Sequence, residues 1–187
     1  MKTRFFKNRA AFRSWLEKNH DRETELWLVY YKVTTGKQSI KYEEAVQEAL
    51  CFGWIDSTLR RIDDEKHMQK YTPRKEKSNW SASNKNRVKK LMQQGLMTEY
   101  GMHKIRAAKK NGSWNTLDSV DIRLEIPPDL MKAFRKNTGT AKGFEKFPRS
   151  RRKQFLWWIT SAKREETRRN RIEKTMQMVI AESKGRK

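Results

Sequence analysis

Residues 25–33, ELWLVYYKV, constrain the fold more than any other stretch of this chain. Read as a strand, they place Leu26, Leu28 and Tyr30 on one face and Trp27, Val29 and Tyr31 on the other, because successive side chains alternate across a sheet. A strand apolar on both faces belongs inside a sheet rather than at its edge. Segments of helical period surround it. In 8–19, Ala11, Phe12, Trp15 and Leu16 make one stripe, and in 42–54 Tyr42, Ala45, Val46, Ala49, Leu50 and Gly53 make another. The end of that second segment, LCFGWI, is apolar all round, which predicts burial and places Asp56 and Ser57 beside an aromatic cluster.

Thr34 to Lys37 read as a turn, and residues 57–74 predict a β-hairpin that reverses at Asp63-Asp64-Glu65-Lys66. A polar loop around Trp80 leads into a helix over 84–94 closed by Gly95, and Thr98 caps a further helix that ends before Gly112. The expectation is an α+β fold: N-terminal helices around a small antiparallel or mixed β-sheet over 1–112, a connector over 113–126, and a helical C-terminal domain over 127–187 that opens at Pro127-Pro128. In that last part, helices are predicted at 128–136, 140–147, 151–163 and 165–182. Ser150 is the expected cap of the third, with Phe155, Trp158, Ile159 and Ala162 inward; Ile172, Met176, Val179 and Ile180 face inward from the fourth.

Composition decides which functions are open. Hydrophobic and charged residues each make up 35% of 187 residues, but 7 Trp, 8 Phe and 5 Tyr set the chain apart from disordered sequences, which are poor in aromatics. A single cysteine, Cys51, excludes an intramolecular disulfide and any zinc site that needs two thiolates. His20, His67 and His103 are far apart and no HExxH pattern occurs, so neither a metal nor another cofactor is expected. The basic start is interrupted by Arg9, Arg13, Glu17 and Lys18 before any apolar run of signal-peptide type, and a cytosolic protein is expected. The net charge of +22 points to an anionic partner, namely nucleic acid, acidic protein or another anionic ligand, or else to a solvated basic surface. The positive residues are spread along the chain rather than gathered in a tail.

No nucleophile-elbow, P-loop, Rossmann or kinase signature is present. Three sets of residues are candidates for chemistry or binding. Cys51 is either a reactive thiol, with His67 the nearest histidine in sequence, or a small buried hydrophobe; Asp56 is either a general base or a residue closing a helix. Arg60 and Arg74 on the hairpin arms, with Trp27, Trp54 and Trp80, would grip a planar or anionic ligand through stacking and bidentate hydrogen bonds. Arg151, Arg152, Arg168 and Arg169 lie in basic helical runs suited to phosphate contact, or to a solvated face with internal pairs such as Glu165 with Arg169.

The strings ELWLVYYK, YEEAVQEALCFGWIDS and QKYTPRKEKSNWSASNK, followed by PPDLMKAF and FEKFPRSRRKQFLWWITSAKREETRRNRIEK, resemble the bacterial bacteriocin-protection family, also labelled YdeI/OmpD-associated. The resemblance runs from about residue 25 to 180, and its later part is similar to the short helical C-terminal domain of that family. It implies a link to tolerance of antimicrobial peptides and to an outer-membrane porin, and it names no catalytic residues. Lys41 departs from the pattern, standing where relatives offer a helix-capping serine. A chain at +22 repels cationic peptides, so protection through direct sequestration is physically disfavoured and an anionic partner is the better route. Three readings follow: a binding protein linked to peptide tolerance, a nucleic-acid or polyanion module, and a small-molecule enzyme with a pocket beside Cys51 and Asp56.

Overall fold

The computed structural model describes residues 2–137 and 139–184, which fall into two compact units, Met1–Asn115 and Thr116–Lys187. The first unit is built on a four-stranded sheet. Its strands are β1 (Thr3–Phe5), β2 (Leu26–Tyr31), β3 (Trp54–Arg61) and β4 (Lys66–Pro73), in the order β1-β2-β4-β3. β1 runs parallel to β2 while β4 is antiparallel to both β2 and β3, so the sheet is mixed. β2 has a neighbour on each side, as its two apolar faces require. The expected hairpin is β3–β4. Asp63 closes it by accepting from the backbone N–H groups of Glu65 and Lys66 at 2.9 and 2.7 Å, a side chain standing in for a backbone turn.

Helices α1 (Arg9–Asn19), α2 (Tyr42–Cys51), α3 (Ala82–Gln93) and α4 (Glu99–Lys110) complete the unit. Asn8, Ser81 and Thr98 cap α1, α3 and α4 through their side-chain oxygens. At Lys41, which has no such oxygen, the Glu44 carboxylate accepts from the Lys41 N–H at 3.1 Å and holds the start of α2 from inside the helix. α2 ends three residues earlier than its apolar pattern predicts. Gly53, at φ +70°, turns the chain directly into β3, so Trp54 and Asp56 are strand residues. α4 docks on that helix end. The Thr98 hydroxyl donates to the Cys51 carbonyl at 2.6 Å, and a Cβ at Gly101 would meet the same oxygen at 2.3 Å.

One apolar core fills this unit, with Phe12 and Leu16 of α1, Val46, Ala49 and Leu50 of α2, Leu26 and Leu28 of β2, Tyr71 of β4, Leu91 of α3 and Ile105 of α4. Glu48 is buried beside it, where Arg9 and Arg13 both hold its carboxylate, Arg13 at 2.8 Å. Burying a carboxylate is tolerable only with such partners.

The second unit is helical: α5 (Asp118–Asp121), α6 (Pro128–Lys136), α7 (Thr140–Glu145), α8 (Arg149–Thr160) and α9 (Glu165–Lys184). It has its own core, which includes Leu130, Phe134, Phe144, Phe155, Leu156, Ile159, Met176 and Val179. α8 starts two residues earlier than the serine cap predicts, directly after Pro148, whose missing N–H costs nothing at a helix start. Its inward face accordingly includes Leu156, while Trp158 is half-buried with the Arg171 guanidinium 5.4 Å from its ring centre. Ser113 and Trp114 pack with the first unit, and residues 118–121, expected as connector, are helical. Among the described residues no helix is long and apolar enough to cross a membrane.

Candidate functional site

The two faces of the sheet are built differently. Leu26, Leu28 and Tyr30 turn toward α1 and α2 and join the core. Trp27, Val29, Tyr31 and Met68 lie on the opposite face and outside that core cluster, although Trp27 and Met68 are buried. The strand register explains what covers them. Phe5 pairs with Val29, Val29 with Met68 and Met68 with Arg60, so one row of side chains crosses all four strands; Trp27 stands opposite Lys70 and Tyr31 opposite Lys66. The Arg60 guanidinium sits 4.7 Å from the Trp27 ring centre and the Lys70 ammonium 5.8 Å from it. Lys37 lies 5.1 Å over Tyr31, and Phe5 meets Tyr31 edge-on at 5.5 Å. This outer face is thus a floor of rings and apolar side chains with cations laid across it.

The cations differ in freedom. Lys70 is 2.5 Å from Glu25, Lys37 is 2.6 Å from Glu65 and Lys66 is 3.1 Å from Asp63. The Lys70 ammonium holds the Glu25 carboxyl below its ordinary range, and Glu65 raises the pKa of Lys37. Arg60, among the described residues, is held by the Trp27 ring and has no carboxylate, and it is exposed. Phe5 is 45% exposed, so its ring is open to an incoming planar group.

The remaining residues expected around the hairpin do not join this face. Trp54 is buried, donates its indole N–H to the His20 carbonyl at 3.0 Å and packs edge-on against Trp15. Arg74 follows the end of β4 and is 3% exposed, with its guanidinium 3.8 Å over the Trp80 ring centre and one N–H on the Asn79 carbonyl at 2.9 Å. Burial lowers its pKa to about 10, against the opposing field of Asp56, and its Nε–H has no hydrogen-bond partner among the described residues. Arg74 and Trp80 are buried against each other in the loop after β4, so neither presents the open plane that gripping a ligand together with Arg60 would use.

Asp56 is also a strand residue rather than a helix-closing one. The Tyr42 hydroxyl donates to it at 2.7 Å, and the buried Tyr30 and Tyr71 hydroxyls bond each other at 2.8 Å next to it. Burial, followed by the charge of Asp56, pushes the Tyr42 phenol up to about 12. These tyrosines are protonated donors and not bases. Cys51 is fully buried, and desolvation followed by the Glu48 charge pushes its thiol up to about 11 despite Arg13. A reactive thiol needs exposure and a depressed pKa, so the nucleophile reading of Cys51 is corrected to a buried small side chain. His67 is stacked on Tyr30 at 5.2 Å.

In the helical unit, Arg168 clamps Asp129 through Nε and Nη2 at 2.5 and 3.0 Å, and Arg151 is 2.6 Å from Glu182 with its guanidinium 4.3 Å over Phe147. Both are thus engaged with carboxylates of their own unit. Arg152 is half-buried with its Nε–H unpaired among the described residues. Arg169 is exposed and 3.9 Å from Glu165, the expected i,i+4 pair. No group of three or more His, Cys, Asp or Glu among the described residues could hold a metal ion.

Sequence reasoning missed Phe5, Tyr31, Lys37, Lys66, Met68 and Lys70. The alternation in 25–33 already set Tyr31 beside Trp27; β1, with three residues, has too few positions to show a period.

Two family models match the chain. Residues 4–104 match the domain of unknown function DUF8412, and residues 123–181 match the family described as bacteriocin-protection, YdeI or OmpD-associated. The second match is confined to the helical unit, while the strings quoted from residues 25–85 lie within the first. No curated protein and no solved structure matches the chain.

Proposed function

The chain belongs to the family of the domain of unknown function DUF8412, which spans 4–104, and we propose that this domain is a non-catalytic module binding polyanions, single-stranded nucleic acid foremost. The observation that carries this reading is the outer face of the sheet, where Phe5, Tyr31 and Trp27 share one surface with Arg60, Lys37, Lys66 and Lys70. Single strands are held by that combination: bases stack on rings or guanidinium planes while cations follow the phosphates. A base has two places to stack here, the open ring of Phe5 and the outward plane of Arg60 lying on Trp27. The net charge of +22 adds long-range attraction that raises the encounter rate.

Fluorescence anisotropy of labelled single-stranded and duplex oligonucleotides across a salt series tests this. The single strand is expected to bind more tightly, with a negative log–log salt slope. Phe5→Ala is expected to weaken it about tenfold, the effect of losing one stacked base. Equal losses from Phe5→Ala and from Lys174→Ala, a surface change in the helical unit, would leave only a basic surface and overturn the site.

A second reading has its own observation. The match over 123–181 favours a role in tolerance of bacteriocins, acting through an anionic partner because the positive charge repels cationic peptides. Deletion of the gene is expected to change sensitivity to a panel of antimicrobial peptides, and unchanged sensitivity would discard the reading.

A further inference from the structure

A groove runs along the hairpin of α3 and α4, at a place that the nucleic-acid reading does not use. It encloses about 410 Å³. From α3 it takes Asn86 and, at the spacing i, i+3, i+4, i+7, i+8 that forms one continuous stripe, Lys85, Val88, Lys89, Met92 and Gln93. From α4 it takes Ile105 and Lys109, and Trp114 closes one end. The floor is apolar. Val88 and Ile105 are core residues whose outer atoms line it, Met92 is 45% exposed, and Trp114 rests on Trp80 with ring centres 4.9 Å apart. The rim is cationic: the Lys85 and Lys109 ammonium groups lie 5.2 and 5.4 Å from the Trp114 ring centre, and Lys89 is exposed. No acidic residue is among those lining the groove.

The geometry points to a docking site for an acidic amphipathic helix of a partner protein. Three features select that occupant. The stripe from Lys85 to Gln93 is straight and about 12 Å long at 1.5 Å per residue, which matches two to three turns of a helix laid beside α3 and α4. The floor of Val88, Met92 and Ile105 accepts aliphatic or aromatic side chains spaced i, i+3 or i+4, i+7, whereas phosphates have nothing to gain there. Lys89 on α3 and Lys109 on α4, one on each rim, complement carboxylates on the flanks of such a helix, and no acidic residue lines the groove. The groove between α2 and α3 offers a contrast, since Glu43 and Arg87 there pair with each other at 2.7 Å.

Selection of random peptides of about 16 residues, displayed on yeast, against the full chain tests the assignment. Enriched peptides are expected to carry apolar residues at helical spacing flanked by Asp and Glu. A synthetic copy is expected to bind roughly tenfold more weakly to Met92→Glu and to Lys89→Glu, and equally well to Phe5→Ala. Met92 and Lys89 are both exposed, so these changes leave the helix pair folded, and circular dichroism of each variant checks that. Enrichment of acidic peptides without the apolar spacing, equal binding to Met92→Glu, or no enrichment would each overturn the site. Loss of peptide binding in Phe5→Ala would also overturn it, by placing the peptide on the sheet, whereas failure of oligonucleotide binding alone would leave it standing.

Discussion

The two faces of one sheet solve the same problem in opposite ways. On the inner face Leu26, Leu28 and Tyr30 are covered by helices, and the buried polar groups there include the Gln69 amide and tyrosine hydroxyls bonded to each other or to Asp56. On the outer face Trp27 reaches the same burial under the guanidinium of Arg60 and the stem of Lys70. Long cationic side chains shield apolar surface while keeping their charge in water. A helical cover is tight and fixed, whereas a cover of side chains can be displaced by a ligand. The comparison therefore teaches where binding belongs: on the face whose lid consists of rotamers.

The contrast can be broken or sharpened by experiment. The largest effect is expected from Leu28→Ala, which leaves a cavity under α1 and α2 and should cost about 2–5 kcal/mol in denaturant unfolding. Its neighbour on the outer face, Val29→Ala, should cost about 1 kcal/mol or less. Equal costs would show that both faces are equally fixed and break the comparison.

Alkaline pH should come next. The Cys51 thiol is held above its ordinary value of 9.0, at about 11, so the folded chain keeps a proton that the unfolded chain loses. Its contribution is fully present below about pH 9 and is lost as pH rises toward 11, up to roughly 2–3 kcal/mol. Cys51→Ala should remove the part of the loss that begins near pH 9, leaving the loss above about pH 10 that the buried tyrosines cause, whose pKa values are also raised by burial. An unchanged curve would place the thiol in contact with water.

Tyr71→Phe removes the partner of the Tyr30 hydroxyl inside the core and should cost about 1–2 kcal/mol. Phe5→Ala should have the smallest effect on stability, about 0.5 kcal/mol, although it changes binding the most. A melting temperature that falls as far for Phe5→Ala as for Tyr71→Phe would make Phe5 a core residue and remove it from the proposed site.

Much of the fold was legible because local rules carried it. The two apolar faces of 25–33 required an interior strand, Asp63 required the hairpin reversal, and Thr98 required a helix start; each is met by contacts within a few residues or by one sheet neighbour. The helix boundaries at Cys51 and Arg149 were less legible, because Gly53 ends an apolar period that continues past it and Pro148, rather than Ser150, sets the start of α8. The candidate site was half legible. Trp27 and Arg60 were in the expected set, but Trp54, Arg74 and Trp80 were grouped with them only by closeness in sequence. Which face of a sheet a residue takes depends on strand register, and the shift between Asp56 and Leu59 in β3 moves that register where no sequence pattern marks it.

By itself the amino-acid sequence determined the α+β class, the strand that must lie inside a sheet, the Thr98 cap and the excess of positive charge, since all of these are properties of residues and their near neighbours. Only the tertiary structure decided which cations are committed and which are available. Arg74 and Arg168 read in the sequence just as Arg60 does, yet one is buried on Trp80, one is clamped by Asp129, and one lies open over Trp27. The physical reason is that the environment of a charge is set by groups far away in sequence, through the dielectric, the counter-charge and the ring that packing places beside it.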